Sequence, residues 1–396
     1  MTSSAPPREL LIVAGEASGD AHGAALVDQL RLLDPSLQVV GVGGDRMDAS
    51  GVELLQHYRG IAVVGITEVL SHLGEIRRAM NRILAAVESR PIVGVVLVDY
   101  PDFNMVLARR LRRRCPDVPI TYFISPQVWA WRSGRVNKLA RLVDRMLVIL
   151  PFEEELYSAA GVPVDFVGHP LLDETHAAVP RAEFAARHGL DPDARWLGLL
   201  PGSRQREVER LLPPMLGAAE LMLAEGGYEV VIPRAAAVER DTFDVPLAGL
   251  SPSARAHVHV VEESYQDLLG HLHVAAVCSG TATLETALAG VPEVVVYRTS
   301  WLTYNLGKSL VRISDIALAN VVAGRRGVPE LLQNDVTPET IAAHLKTLSE
   351  GGPARSECVE FLKEVRSRLG EPGASRRAAQ AVIEQIEPAM ATDNHG

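Results

Sequence analysis

The chain has 396 residues, enough for two or three domains, and its 47% hydrophobic and 22% charged content is that of a globular protein with ample core. A net charge of -10 removes nucleic acid as the default partner. Cys115, Cys278 and Cys358 lie far apart at no disulfide or metal-ligand spacing, Met1 to Arg8 has no apolar signal core, and no apolar run is long enough to span a bilayer; a soluble, cytosolic chain is expected, with any membrane contact peripheral.

Glu9 to Ala14 reads as a first buried strand. It leads into Gly15-Glu16-Ala17-Ser18-Gly19-Asp20-Ala21-His22-Gly23 and a helix through Leu33, the strand, small-residue turn and helix that open a doubly wound domain. Ala17 stands where a dinucleotide fingerprint needs its second glycine, which disfavours NAD. Gln38 to Val42 is the second strand, and Gly43-Gly44-Asp45 misses the fingerprint too, with Arg46 in the third glycine's place. Val69, Leu73, Ile76, Met80, Ile83 and Val87 alternate spacings of four and three, one apolar helix stripe best explained by core packing. Ile61 to Ile66 before it is apolar without that purpose and fits a greasy groove.

Ile92 to Val98 is a strand with nothing polar in it, ending in Asp99-Tyr100-Pro101-Asp102-Phe103-Asn104. Open α/β sheets bind ligands beyond the carboxyl ends of their strands, which places Asp99 and Asp102 for chemistry. Asp102 also reads as the cap of a helix Phe103 to Cys115. The strand Ile120 to Ile124 ends in Ser125-Pro126-Gln127-Val128-Trp129-Ala130-Trp131-Arg132; an indole pair, Trp129 and Trp131, beside Arg132 and Arg135 suits a sugar or lipid headgroup, or plain packing. Arg109, Arg110, Arg112, Arg113, Arg114, Arg132, Arg135, Lys138, Arg141 and Arg145 are opposed only by Asp117 and Asp144, a basic face suited to anionic lipid or phosphate, or simply solvated. Arg145 to Leu150, a helix Phe152 to Ala160 and Val164 to Val167 complete this half, and Gly168-His169-Pro170-Leu171 starts a crossing segment.

The pattern then restarts. Trp196 to Leu200 is a strand followed by Pro201-Gly202-Ser203-Arg204-Gln205-Arg206-Glu207-Val208, with Arg204 at a helix start where it can clamp a diphosphate. Tyr228 to Ile232, His257 to Val261 and His273 to Val277 read as strands. His257/His259 and His271/His273 are paired at strand spacing, but no carboxylate or cysteine joins them at ligand spacing, so no metal is expected. After Cys278, Ser279-Gly280-Thr281 forms a small-residue turn and Ala282 to Ala289 a helix stopped by Gly290 and Pro292. Such a turn directs unpaired N–H groups and the positive end of the helix dipole outward, a seat for phosphate. Glu285, one turn in, repels phosphate but accepts from two sugar hydroxyls; phosphate at the turn and ribose at the Glu describe a nucleotide, against the plainer reading of a well-capped helix. Glu293 to Tyr297 is a strand, Trp301 to Ile313 a helix and Ala319 to Arg326 a loop with polar tips; helices follow from Pro338 to Leu348, Ala354 to Leu369 and Ser375 to Ile386.

Two α/β halves, each with strand–turn–helix loops, predict two doubly wound, Rossmann-like domains facing a cleft, followed by a helical C-terminal tail. The boundaries expected are 1–175 for an acceptor- and membrane-facing domain, 176–370 for a donor domain and 371–396 for the tail. Taken in order, Gly15 to Asp20, Val63 to Leu70, Asp99 to Asn104, Ser125 to Arg132, Leu200 to Arg204, Ser279 to Glu285 and Asn320 to Arg325 resemble the lipid-A-disaccharide synthases of Gram-negative bacteria, over nearly the whole chain.

The resemblance implies an inverting glycosyltransferase of GT-B fold. It would condense UDP-2,3-diacylglucosamine with 2,3-diacylglucosamine 1-phosphate into the β-1,6-linked disaccharide 1-phosphate and UDP, in lipid A (lipopolysaccharide) biosynthesis, without metal or cofactor. By the same resemblance the nucleotide residues are Arg204, Glu285 and Asn320, with Gly202, Ser203, Ser279, Gly280, Thr281 and Arg325 beside them, and the proposed base is Asp99. Glu16, Ser18, Asp20, His22, Asp102, Trp129 and Trp131 fall to the acceptor side, where His22 and Asp102 rival Asp99 as base. Tyr100 stands where many members have Ala. The protein is expected in the cytoplasm, peripheral on the anionic cytoplasmic face of the inner membrane, and as a homodimer whose tails cross back or are exchanged. A UDP-sugar 2-epimerase, or a non-catalytic nucleotide-sugar or lipid-binding protein, would share the nucleotide site.

Overall fold

The structure is a computed structural model and describes residues 8–60, 66–126, 134–173, 179–262, 265–299 and 315–387. The expectations placed on 61–65, Trp129, Trp131 and Trp301 to Ile313 lie outside these residues. The chain divides into two compact units; the first runs to Asp173 and resumes at Gly370, and the second is Glu174–Leu369.

The first unit holds a parallel sheet of β1 (Glu9–Ala14), β2 (Gln38–Gly43), β3 (Glu53–His57), β4 (Ile92–Val98), β5 (Ile120–Phe123), β6 (Arg145–Val148) and β7 (Val164–Phe166), in the order β3-β2-β1-β4-β5-β6-β7. Its central strands are apolar on both faces because helices cover both. Leu11 and Val13 of β1 enter one core with Met80, Ile83 and Val87 of the Ile66–Ser89 helix, while Leu10, Ile12 and Ala14 enter the other with Leu26 and Leu30 of the Ala17–Leu33 helix.

The tail helix Ala374–Ile386 completes that second core, contributing Ala378, Ala379, Val382 and Ile386. Its N-terminus is held from two hundred residues away: the Asp173 carboxylate accepts from the backbone N–H groups of Gly373, Ala374 and Ser375. Arg145 ties its far end, donating to the Ala381 carbonyl at 2.8 Å and pairing with Glu384. The tail therefore packs on its own chain's first unit.

The second unit holds β8 (Arg195–Leu200), β9 (Tyr228–Pro233), β10 (Val258–Val261), β11 (Val274–Cys278), β12 (Glu293–Tyr297) and β13 (Glu330–Leu332), parallel and in the order β10-β9-β8-β11-β12-β13. The segment expected as a loop from Ala319 is instead a helix, Leu318–Ala323, closed by Gly324 at φ +66°. Glu229, on the neighbouring strand β9, hydrogen-bonds two of the paired histidines, meeting His257 Nδ1 at 3.0 Å and His259 Nε2 at 2.7 Å.

Glu293 opens β12 fully buried, and among the described residues neither carboxylate oxygen has a hydrogen-bond partner. Burial pushes its carboxyl well above the usual 4.5, which favours the neutral form in the folded protein. The folded pKa is the raised one. The stability this group contributes is therefore full below about 4.5 and is lost as pH climbs toward the folded value. Glu293→Met, which removes an unpartnered carboxyl, is expected to stabilise the second unit by roughly 1–3 kcal/mol, more at pH 8 than at pH 5. Urea midpoints at the two pH values check this; a lower midpoint in the variant at both would assign Glu293 a partner.

Candidate functional site

Each sheet has one point where its strand order reverses, between β1 and β4 in the first unit and between β8 and β11 in the second. The crevice beyond the strand ends at such a point is where doubly wound sheets bind ligands.

In the second unit this point is a pocket of about 590 Å³. Its walls are the turn after β8, from Leu200 to Arg204, and the turn and first helical residues after β11, from Cys278 to Glu285. Strand register aligns them, since Leu200 pairs with Val277. Gly202 sits at φ +115°, and a Cβ there would come within 2.6 Å of Glu207 Oε2, so the close turn requires glycine. The Gln205–Leu223 helix then starts at Arg204. Glu207 in its first turn reaches back to the Arg204 backbone N–H at 3.3 Å and to its guanidinium at 3.1 Å. The Arg204 side chain is 78% exposed, so solvent screens this pair and a ligand can exchange for it.

Across the pocket, Gly280 at φ +150° starts the Thr281–Leu288 helix with no side-chain cap. Ser279 Oγ donates to the Ile316 carbonyl and fixes the turn. Glu285 is oriented by Tyr265, whose hydroxyl donates to Oε2 at 2.9 Å. The structure thus brings together Gly202, Ser203, Arg204, Ser279, Gly280, Thr281 and Glu285.

Asn320 and Arg325 are placed otherwise. Asn320 is fully buried, its Nδ2 donating to the Val328 carbonyl and to Glu330, its Oδ1 accepting from the N–H groups of Gly327 and Val328. That amide is spent on holding the 327–330 strand entry. Arg325 pairs with Glu364, lies over the Phe361 ring and lines a different pocket.

Glu207, Arg234, Glu262 and Tyr265 also line this pocket and were not singled out from the sequence. Arg234 had a signal, since it directly follows the strand Tyr228–Pro233 and so stands at the sheet's carboxyl edge. Its guanidinium is held by Glu262 at 3.1 Å and by the Val238 carbonyl at 2.7 Å. Tyr265 had none, because only folding brings it to Glu285.

In the first unit the switch point joins the turn after β1 to the turn after β4, with Ala14 paired to Val98. Asp99 and Tyr100 both hold left-handed backbone, at φ 43° and 46°. Such residues cost roughly 1–3 kcal/mol each and persist where the surroundings impose them. Here Asn104 Nδ2 binds the Val98 carbonyl at 3.2 Å and the Asp99 carbonyl at 2.8 Å, and the buried Tyr122 hydroxyl adds a bond of 2.5 Å to the latter. The Asp99 carboxyl, partly open but deep in the turn, is pushed up to about 7, first by burial and then by the Glu16 carboxylate.

Glu16 accepts from Ser18 Oγ at 2.9 Å. Asp20 is buried and structural in its contacts, accepting from the backbone N–H groups of Gly44, Arg46 and Met47 and so tying the turn after β1 to that after β2. His22 is held below its usual value by burial and by Arg46. The nearby His169, 7% exposed, is pushed down to about 3 by burial and by His22, and its Nδ1 accepts from Leu171 N–H. Asp102 is not a cap: the helix Pro101–Arg114 starts from Tyr100, and Asp102 projects from its first turn toward Arg135 at 3.4 Å.

The family model described as lipid-A-disaccharide synthetase matches residues 10–384. The chain is 43% identical over 384 residues to the lipid-A-disaccharide synthase of Geobacter metallireducens, covering 97% of this chain and 98% of that one. It is 45% identical over 387 residues to that of Myxococcus xanthus, again covering 97% and 98%. Among solved structures it is similar to the glycosyltransferase of kitacinnamycin (TM-score 0.65, 16% identity, 97% of this chain and 100% of that one). It is similar also to the calicheamicin glycosyltransferase CalG4 (TM-score 0.59, 18% identity, 96% and 98%). The UDP-GlcNAc 2-epimerase of Neisseria meningitidis bound to UDP-GlcNAc shares the fold at 13% identity (TM-score 0.64, 95% and 100%). The fold is the two-domain GT-B fold of such glycosyltransferases.

Proposed function

Because this chain belongs to the lipid-A-disaccharide synthase family, glycosyltransferases that join a nucleotide sugar to a lipid sugar, we propose an assignment of its two switch points to donor and base. The second unit holds UDP-2,3-diacylglucosamine. Glu285, steadied by Tyr265, accepts from the ribose hydroxyls, since a carboxylate has acceptor sites beyond the one Tyr265 uses. Arg204 leaves Glu207 for the diphosphate, and the first-turn N–H groups of the two helices point at the same charge.

The acceptor is 2,3-diacylglucosamine 1-phosphate. Asp99 takes the proton from its 6-hydroxyl as that oxygen attacks the donor's anomeric carbon from the side opposite UDP. The bond from that carbon to the β-phosphate oxygen breaks, and UDP leaves with its charge held by Arg204 and the helix ends. The product is the β-1,6-linked disaccharide 1-phosphate, with inversion. The observation that carries this reading is Asp99 itself, a carboxyl at about 7 in a strained turn at a strand end, able to take a proton near neutral pH. NMR of the new linkage tests it: a β bond to O6 is expected, and an α bond would require retention and a second nucleophile. The epimerase alternative shares the fold alone, and the family match sets it aside.

The same reading places the protein on the anionic cytoplasmic face of the inner membrane. Among the described residues no helix is long and apolar enough to cross a membrane. Arg109, Arg110 and Arg113 are exposed on the Pro101–Arg114 helix beside Val106, and Lys138 and Arg141 are exposed nearby in sequence. Arg112 and Arg145 leave the expected basic face, being bound to Asp144 and to Asp165 with Glu384. Each exposed cation at such a surface is worth about 1 kcal/mol and fades with salt. Flotation with anionic vesicles is expected at low salt and not at high salt. Equal flotation with neutral vesicles would contradict the electrostatic part. A homodimer with exchanged tails is the further expectation, in which Ala374–Ile386 would pack on a partner's first unit; a monomeric sedimentation coefficient would contradict it.

A further inference from the structure

Tyr100 has no role in the assignment above, yet it fills the space beside Gly15 in the turn after β1. A Cβ placed on Gly15 would lie 2.0 Å from Tyr100 Cδ1 and 2.5 Å from Cγ and Cε1, the three nearest heavy atoms. The Tyr100 ring thus lies flat against the Gly15 backbone, in a space that only glycine leaves. Gly15 does not have positive φ, so the ring, not the backbone, is what demands glycine there. The ring also packs toward Phe103, centroids 6.0 Å apart, and joins the core of that cluster. Tyr100 also follows Asp99 directly and shares its left-handed backbone. One ring therefore bridges the two turns that carry Glu16 and Asp99.

We propose that Tyr100 is a positioning residue for the general base: clamped on Gly15, its ring locks the Gly15-Glu16 turn against the Asp99 turn and keeps water from the Asp99 carboxylate. The inference rests on Asp99 being the base. Two consequences support each other chemically. A locked turn keeps the Glu16 carboxylate beside Asp99, and a covered turn keeps Asp99 poorly solvated; both favour the protonated form and so a stronger base once ionised. Among the described residues, the other groups around this point are the Tyr122 hydroxyl from β5, on the Asp99 carbonyl, and the Asp102–Arg135 pair.

The test is the pH dependence of kcat/KM for disaccharide formation, from about pH 5 to about pH 9, in the full-length protein. Wild type, Tyr100→Phe, Tyr100→Ala, Gly15→Ala, the Gly15→Ala/Tyr100→Ala double variant and Asp99→Asn are compared. Tyr100→Phe keeps the ring and is expected to keep the wild-type acid limb near pH 7. In Tyr100→Ala the limb is expected to move down by roughly one pH unit as water reaches Asp99, with KM for the donor unchanged. Gly15→Ala expels the ring without touching its residue and is expected to move the limb likewise. The double variant should be no worse than the worse single one, because both remove one contact. An acid limb that stays in place in Tyr100→Ala and Gly15→Ala, while Asp99→Asn is inactive, overturns the role of Tyr100 alone. Full turnover in Asp99→Asn overturns the base assignment and this inference with it.

Discussion

Asp99→Asn is expected to fold, to bind UDP as the wild type does, and to lose turnover by about 10²–10⁴-fold, the usual loss for a general base. The 6-hydroxyl of the acceptor is a weak nucleophile until its proton is removed, and Asn keeps the shape of Asp99 without the basicity. The turn survives the change because Asn104 and Tyr122 hold the Asp99 carbonyl, not its side chain. Stability should rise. The folded carboxyl sits at about 7 against the ordinary 3.8, so its contribution to stability is full below about 3.8 and lost as pH rises through 7. Above pH 7 the wild type carries a desolvated charge that Asn removes, a gain on the order of a few kcal/mol in the thermal or urea transition. Activity runs the other way: it needs the ionised form and falls as pH drops below about 7. The rivals differ visibly. Asp102 is exposed and paired with Arg135, and His22 lies among Arg46 and His169. Near-normal turnover in Asp99→Asn, with collapse in His22→Ala or Asp102→Asn, would transfer the role.

Arg204→Ala is expected to weaken UDP binding by roughly 1.5–3 kcal/mol, the range for a hydrogen bond to a charged group, or about 10- to 150-fold in Kd. Arg204 is largely exposed and, among the described residues, pairs with Glu207 alone, so its removal should cost little stability. Glu285→Gln is expected to weaken UDP as well, and deoxyuridine diphosphate less than UDP, because the lost acceptor serves the ribose hydroxyls. Tyr265 keeps an acceptor in the Gln oxygen, which protects the fold from an orphaned buried hydroxyl. Titration calorimetry reads both. Unchanged UDP affinity in both variants would move the donor site away from this pocket.

Where burial is nearly complete, the sequence was easy to read. Glu9 to Ala14 and Ile92 to Val98 are strands to the residue, because an apolar run between polar or glycine punctuation fits a sheet covered on both faces. The edge strand Glu53–His57 alternates too little and carries Glu, Gln and His, and Glu330–Leu332 is three residues long; neither gave a period to detect. Leu318–Ala323 was hidden for the same reason, being six residues of helix with Asn320 turned inward.

The candidate site was legible at its turns, because glycine and small residues after a strand have a local cause. Long-range partners were not. Asp20 looked like a ligand group and is occupied by three backbone N–H groups of another turn. Asn320 looked like a nucleotide contact and is saturated by the 327–330 backbone and Glu330. Asp102 looked like a cap, but the left-handed Tyr100 caps the helix two residues earlier. Glu229 meets two histidines only because β9 and β10 are neighbours.

The most direct test is turnover of the purified protein with UDP-2,3-diacylglucosamine alone, with 2,3-diacylglucosamine 1-phosphate alone, and with both, each product identified by mass. UDP and the disaccharide 1-phosphate are expected in equal amounts, and only when both substrates are present. Consumption of the UDP-sugar at the same rate without acceptor, or an unchanged mixture with both, would contradict a glycosyl transfer between them.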